Sequence, residues 1–179
     1  MSNKVNLLKK IESTQWVSVY RDNPDKFEYG RILAYNESFT LLVLASPEGK
    51  YDGLAMIETD DITLIEYGGG YATRMSRLMD EAEINASIPC GECDFKDECI
   101  CEQMLNLSRD THSVVSIEIQ DSGYDNVTGI VESVDGDCVY VNIYDTYGAP
   151  DGVALISMED ITEIALGGDR EAAIQRLIK

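Results

Sequence analysis

An internal repeat limits the fold of this chain more than any other feature of its sequence. Residues 30–79 align without a gap with residues 129–178 at an offset of 99, and fourteen of these fifty positions are identical. The closest match is between MIETDDITLIEYGGG at 56–70 and LISMEDITEIALGGD at 155–169. Similarity at a fixed spacing indicates two copies of one structural unit. We therefore predict domains at 1–80 and 112–179, joined by an acidic helical linker at 81–111.

Each copy shows the pattern of five short strands separated by turns that contain glycine. The first copy reads WVSVY, GRILAY, FTLLVLAS, LAMIE and ITLIE, and the second reads VVSIEI, GIVESV, CVYVNIYD, VALIS and ITEIA. Such runs of β-branched, apolar and aromatic residues are typical of strands. Apolar residues at helical spacing predict a helix after each copy, and in YATRMSRLMDEAE at 71–83 they place Tyr71, Met75, Leu78, Met79 and Ala82 on one face. Because closing a small sheet removes its exposed edges, the predicted fold is mainly β, with two tandem five-stranded barrels and flanking helices.

The order of these elements resembles the Sm-like (LSm) small-barrel family, and SH3-like barrels share the same strand pattern. The family's first motif maps onto residues 17–44 and 114–143. Its second motif, typically Ile-Arg-Gly-x-Asn-Val-x-x-Ile, maps onto IETDDITLI at 57–65 and ISMEDITEI at 156–164. The resemblance implies a ring-like oligomer whose neighbours pair edge strands, and an RNA site formed by the Arg-Gly pair and the Asn residues.

The residues that would form this RNA site are replaced in both copies. Glu58 stands at the Arg position and puts a negative charge where phosphate or base oxygens would lie, whereas Asp61 and Asp160 lack the amide donors of Asn. We expect Asp61 and Asp160 either to cap turns or, together with Glu58, to bind a basic group on a partner. The remaining family positions hold Ser157, Thr59 and Met158 in the second motif, and Thr40 and Val139 at the first-motif Asn.

The charge of the chain also argues against a nucleic-acid partner. The net charge is −19, and residues 112–179 alone carry −10 against −3 for residues 1–80. Phosphate backbones are bound by Lys and Arg, which the second half almost lacks, so we expect protein partners or self-assembly. RNA binding stays an alternative through the basic residues of 1–31. The sequence has no apolar run long enough to cross a membrane and no leader-like start, so we expect no membrane association and a cytoplasmic location.

Four cysteines cluster between the two copies, as Cys90, Cys93, Cys99 and Cys101. Clustered thiols in a cytoplasmic chain favour a metal over disulfides, and four thiolates satisfy one tetrahedral Zn²⁺. The same four could hold an iron–sulfur cluster, form two disulfides or stay free. The zinc interpretation predicts a structural site in the linker, and a metal-binding or redox function is a further alternative.

No pattern in the sequence indicates an enzyme. The single histidine, His112, would have to serve any Ser-His-Asp or Cys-His site, and a histidine beside a strand start is more often a surface residue. Phosphate-binding glycine motifs are absent. We therefore predict a non-enzymatic interaction or assembly module of tandem Sm-like barrels.

Overall fold

The described residues form ten β-strands, paired antiparallel, and five α-helices, so the protein is mainly β. This computed structural model describes residues 3–21, 23, 25–89, 95–123 and 125–178. The chain divides into two compact units, residues 1–100 and 101–179. Helices α3 and α4 fall within 81–111, the segment predicted as a linker, and its standing as a separate domain stays a prediction.

Unit 1 contains the first copy of the repeat. Its elements are α1 (Asn3–Leu8), β1 (Trp16–Tyr20), β2 (Phe27–Tyr35), β3 (Phe39–Ala45), β4 (Tyr51–Glu58), β5 (Leu64–Glu66), α2 (Gly69–Leu78) and α3 (Glu81–Ser87). The strands lie in the order β5-β1-β2-β3-β4. One turn of 3₁₀ helix (Thr59–Asp61) separates β4 from β5, and a second (Asp97–Cys99) ends the unit.

Unit 2 repeats this arrangement. Its elements are α4 (Ile100–Thr111, beginning at the last residue of unit 1), β6 (Val115–Ile119), β7 (Val127–Asp135), β8 (Cys138–Tyr144), β9 (Pro150–Ser157), β10 (Ile161–Leu166) and α5 (Asp169–Leu177). The strand order, β10-β6-β7-β8-β9, is that of unit 1. A 3₁₀ turn (Met158–Asp160) again precedes the last strand.

An irregular point of strand pairing recurs ninety-nine residues apart in the two units. The pairing of β2 with β3 shifts register between Ile32 and Ala34, and the pairing of β7 with β8 shifts between Val131 and Ser133. Bulges of this kind bend a strand and increase its twist. Because they occur at equivalent positions, the duplication extends to the curvature of the backbone.

Glycine is required at one equivalent position in each copy, and the reason is the same in both. A Cβ on Gly30 would lie 2.7 Å from the carbonyl oxygen of Val43, and one on Gly129 would lie 2.1 Å from that of Asn142. These separations are shorter than any real Cβ contact, so only glycine lets β2 and β7 approach their partner strands this closely. The glycine that opens each second strand in the sequence therefore has a packing role.

Each copy buries an apolar core between its strands and helices. In unit 1 the core cluster joins α1, four strands and the residue after the first 3₁₀ turn, through Leu8, Val17, Val19, Ile32, Leu42, Ile57 and Ile62. In unit 2, buried polar contacts fix the helices on the sheet. Ser108 of α4 accepts a hydrogen bond from the backbone N–H of Val131 at 3.2 Å, and Ser116 donates to Glu171 of α5 at 2.5 Å.

The predicted closure of each copy into a barrel is not confirmed. Within the described residues, no strand pairing joins β5 to β4 or β10 to β9. In unit 1, the described pairing of the short strand β5 is with β1, through residues 64–66. In the part of the chain that the structure describes, no helix is both long and apolar enough to cross a membrane.

Candidate functional site

The outer face of β9 in unit 2 presents apolar side chains to solvent. Val153 and Leu155 of this strand are each 60% exposed, whereas Ile156, which points to the opposite face, is buried. Tyr140, directly opposite Leu155 on β8, is also exposed. Alternation along a strand places Val153 and Leu155 on one face. These three side chains, Tyr140, Val153 and Leu155, are called the β9 face below.

The equivalent residues of unit 1 are buried. Leu54 and Met56, which stand ninety-nine residues before Val153 and Leu155, are 1% and 0% exposed. Leu41, the counterpart of Tyr140, is likewise inaccessible. Helix α3, whose Ile84 is buried, contacts β4 in this unit. The same strand position is thus covered in one copy and open to solvent in the other.

The strand β9 carries features that normally protect a sheet edge at its start, but not over residues 153–156. It is the terminal strand of its sheet and pairs with β8 along one side. Natural edges are usually blocked by charged residues, proline or bulges. Pro150 and Asp151 occupy the start of β9, but residues 153–156 read Val-Ala-Leu-Ile and carry no charge. Among the described residues, this segment has a strand partner on one side only, and it presents an apolar face.

A second sheet end is found in unit 1, at β5. This strand pairs with β1 from Ser18 to Tyr20, and its Leu64 is exposed. Tyr20 donates a hydrogen bond to the carboxylate of Glu66 at 2.8 Å, which holds the strand end in place.

The acidic residues predicted to contact a partner lie at the 3₁₀ turns. Asp160 is half-buried, and its carboxylate accepts a hydrogen bond from the side chain of Gln120 at 2.8 Å. The backbone N–H of Gln120 also donates to the carbonyl oxygen of Asp160 at 2.9 Å. Glu58 and Asp61 are half-buried at the end of β4 and in the first turn. The contacts of Asp160 are those of a residue that fixes a turn, and partner binding by these three residues stays a prediction.

Two threonines of unit 1 contact each other at the first 3₁₀ turn. Thr40 and Thr59 are fully buried, and their hydroxyl oxygens lie 2.9 Å apart. Thr59 also donates to the carbonyl oxygen of Asn36 at 3.1 Å. In unit 2 the matching positions hold Val139, which is buried, and Met158, which is half-buried. Neither copy presents an exposed hydrogen-bonding group at these positions.

The structure covers half of the predicted metal site. Cys90 and Cys93 lie outside the described residues. Cys99 is half-buried at the end of a 3₁₀ turn and Cys101 is buried in α4, and both are free of disulfide bonds. Burial, with a smaller effect of Glu102, raises the pKa of the Cys101 thiol to about 12. Cys101 without a metal is therefore a neutral thiol near pH 7 and a poor nucleophile.

Among the described residues, His112 and Cys138 do not form part of a catalytic arrangement. His112 is exposed in the turn after α4, with a positive φ of 53°. Cys138 is half-buried at the start of β8. Comparison with family models, curated proteins and solved structures finds no match to this chain.

Proposed function

We propose that this protein is a non-enzymatic cytoplasmic assembly module in which each copy has an Sm-like small-barrel architecture. In this proposal, the β9 face of one molecule receives the edge strand β5 of the next. The observation that carries the proposal is the difference between equivalent strands: Val153 and Leu155 are each 60% exposed, whereas Leu54 and Met56 are buried. Contiguous exposed apolar surface on a sheet edge is typical of an interaction site.

The strand geometry favours another strand as the occupant. A strand added to β9 would pair with the backbone of its outer edge, and its own side chains would pack beside Val153 and Leu155 on the same face, as in β-strand addition. The strand β5 of a second molecule fits because it is itself terminal in its sheet and carries the exposed Leu64. Such a contact joins two different surfaces, so it propagates into a ring or a filament.

The charge distribution favours the same head-to-tail contact. Residues 112–179 carry a net charge of −10, whereas residues 1–80 carry −3. Contact between two second copies would place the two most acidic regions together, and like charges across an interface oppose binding. A contact between the second copy of one molecule and the first copy of another reduces this repulsion.

The contacts of the described residues favour this proposal over RNA binding. Thr40 and Thr59 bond to one another inside unit 1, and Glu58 replaces a cation at the family's RNA position. An RNA site would need exposed donors and cations at these places.

Native mass spectrometry of purified Leu155→Lys and Val153→Lys variants tests the proposal. We expect the unmodified protein to form an oligomer and both variants to be monomers, because a lysine on the β9 face must be desolvated on assembly. Tyr147→Lys is the matched control, since Tyr147 is 81% exposed in the turn before β9. A monomeric unmodified protein at high micromolar concentration, or variants that assemble normally, would contradict the proposal.

We also propose one structural zinc ion held by Cys90, Cys93, Cys99 and Cys101. The support is that Cys99 and Cys101 are free thiols close together in sequence, with Cys101 buried at the start of α4. We expect one zinc per chain by elemental analysis of protein purified without chelator, and a loss of that zinc in Cys99→Ser. Cys138→Ser is the control, and a metal-free protein or visible absorbance from iron–sulfur would contradict this assignment.

A further inference from the structure

Unit 1 contains a cluster of aromatic rings on β1, β2 and α2. The ring of Tyr71 packs edge-on against Phe27, with centroids 4.9 Å apart, and against Tyr29, with centroids 5.2 Å apart. Trp16 stacks on the other side of Tyr29 at 5.8 Å. Arg31 lies over the Trp16 ring, 5.9 Å from its centroid. The cluster therefore already binds one cation of the protein, through the ring of Trp16.

The outer end of the cluster lines an open pocket of about 340 Å³. Phe27, Tyr29 and Tyr71 form its aromatic side, and Leu44, Ala45 and Pro47 form its aliphatic side. The planes of Phe27 and Tyr71 are inclined at 85°, and those of Tyr29 and Tyr71 at 73°. This volume is at the lower end of the range for small-ligand sites.

The charged residues of the pocket are acidic. Glu28 and Asp52 both line it. Glu28 accepts a hydrogen bond from Arg21 at 2.9 Å, so its charge is partly balanced. The ring of Tyr29 remains a neutral phenol, because burial, followed by the effects of Tyr71 and Glu81, raises its pKa. Neutral aromatic faces beside carboxylates attract cations and disfavour anions.

The second copy has no aromatic residue at the three positions that line the pocket in the first. At the offset of 99, Phe27, Tyr29 and Tyr71 become Asn126, Thr128 and Arg170. Arg170 forms an ion pair with Asp125 on its own unit. A cation of the protein thus occupies the region that corresponds to the aromatic side in unit 1. The backbone frame is shared, so the aromatic pocket is not required by the fold.

We propose that the pocket lined by Phe27, Tyr29 and Tyr71 binds an alkylammonium group, of the kind found in choline or in a trimethylated lysine side chain. The aromatic faces contact the methyl groups and stabilise the positive charge. Asp52 and Glu28 supply the long-range attraction, and the aliphatic side covers the remaining apolar surface. This site is independent of assembly through the β9 face.

The test compares choline with 3,3-dimethylbutan-1-ol, its neutral isostere of the same shape, on the full-length protein. Binding is followed by the NMR signals of the Trp16 indole N–H and of the Tyr71 backbone, because Trp16 is the single tryptophan of the chain. We expect saturable shifts with choline and binding of the neutral alcohol at least about tenfold weaker. Equal binding of both compounds, or no shift with choline, would overturn the proposal.

Variants locate the site and separate charge from shape. Tyr71→Ala should weaken choline binding about tenfold, whereas Tyr71→Phe should retain it, because the ring face and not the hydroxyl makes the contact. Asp52→Asn should weaken binding of the cation several-fold without changing the pocket's size, and Asp151→Asn, its counterpart in the second copy, should not. Unchanged binding in Tyr71→Ala, with normal circular dichroism, would place the ligand elsewhere and refute the assignment.

A final comparison distinguishes the two sources of the cation. A short peptide that carries trimethyllysine is titrated beside choline and beside the same peptide with unmodified lysine. Tighter binding of the trimethylated peptide than of choline supports a protein-borne cation, and equal binding supports a free one. A preference for the unmodified lysine would overturn the alkylammonium assignment.

Discussion

Alanine substitutions at two equivalent positions, Met56 and Leu155, should have very different effects on stability. Met56 is 0% exposed in β4, whereas Leu155 is 60% exposed in β9. The two residues occupy the same place in the repeat, each paired with the equivalent residue of the neighbouring strand, Leu41 and Tyr140. Because the position in the repeat is matched and both side chains are large and apolar, the difference reports mainly on what covers each side chain.

The expected magnitudes follow from burial. Met56→Ala removes a fully buried side chain and leaves a cavity, which costs about 2–5 kcal/mol in the free energy of unfolding. Full burial of a leucine stabilises by about 1.5–3 kcal/mol, and Leu155 retains less than half of that, so Leu155→Ala should cost at most about 1 kcal/mol. No cavity term applies, because the site is open to water.

Urea unfolding followed by far-UV circular dichroism measures both variants, at low and at high protein concentration. Assembly stabilises the folded state by mass action, so the cost of Leu155→Ala should grow with protein concentration while that of Met56→Ala should not. If Leu155→Ala costs as much as Met56→Ala at low concentration, the β9 face is covered within a single molecule. The assembly argument would then fail.

Four further substitutions test the packing of unit 2, each by urea unfolding. Glu171→Ala should cost about 1–3 kcal/mol in the free energy of unfolding, because it leaves the buried hydroxyl of Ser116 without its acceptor. Glu171→Gln keeps a side-chain oxygen and should cost less. Equal losses in the two variants would show that the hydrogen bond contributes little. Gly152→Ala should cost about 1–2 kcal/mol for its φ of 108° alone. Gly148→Ala should cost roughly 1–3 kcal/mol more, because its Cβ would also lie 2.5 Å from the backbone of Leu177, and equal effects would refute the clash.

The mainly β fold could be predicted from local chemistry. The strands β3, β4, β8 and β9 fall within or overlap the runs of apolar and β-branched residues, and the glycine before each helix marks the end of the last strand. Fourteen identities at one offset also predicted equivalent structure, and the bulges and 3₁₀ turns bear this out. These features depend on short segments of the chain.

Other features depend on distant contacts and were not predicted. The helical spacing over 71–83 suggested one helix, but α2 ends at Leu78 and Asp80 caps a separate helix, accepting hydrogen bonds from the backbone of Ala82 and Glu83. An Asp can satisfy the first N–H groups of a helix, so it favours a new helix start over continuation. The apolar periodicity was correct for Met75, which is buried, but not for Leu78, which is exposed.

The aromatic pocket was missed because its residues are far apart in sequence. Phe27 and Tyr29 lie on β2 and Tyr71 on α2, and only the packing of that helix on the sheet brings them together. One signal was available: these three positions differ in character between the copies, although the neighbouring glycines and strand residues are kept. In a duplicated chain, positions that change chemistry within a preserved frame indicate where the two copies have acquired separate roles.

The two copies differ on their surfaces while they share their backbone irregularities. Gly30 and Gly129 each permit the same close strand approach, and the register shifts recur at the same offset. In contrast, the aromatic pocket is found in the first copy, and the exposed face of β9 in the second. A frame that is fixed by glycines and bulges tolerates changes of outward-facing side chains, because those changes do not alter strand pairing. The duplication therefore accommodates both of the binding surfaces that we propose, one for a cation and one for a strand, without a second fold.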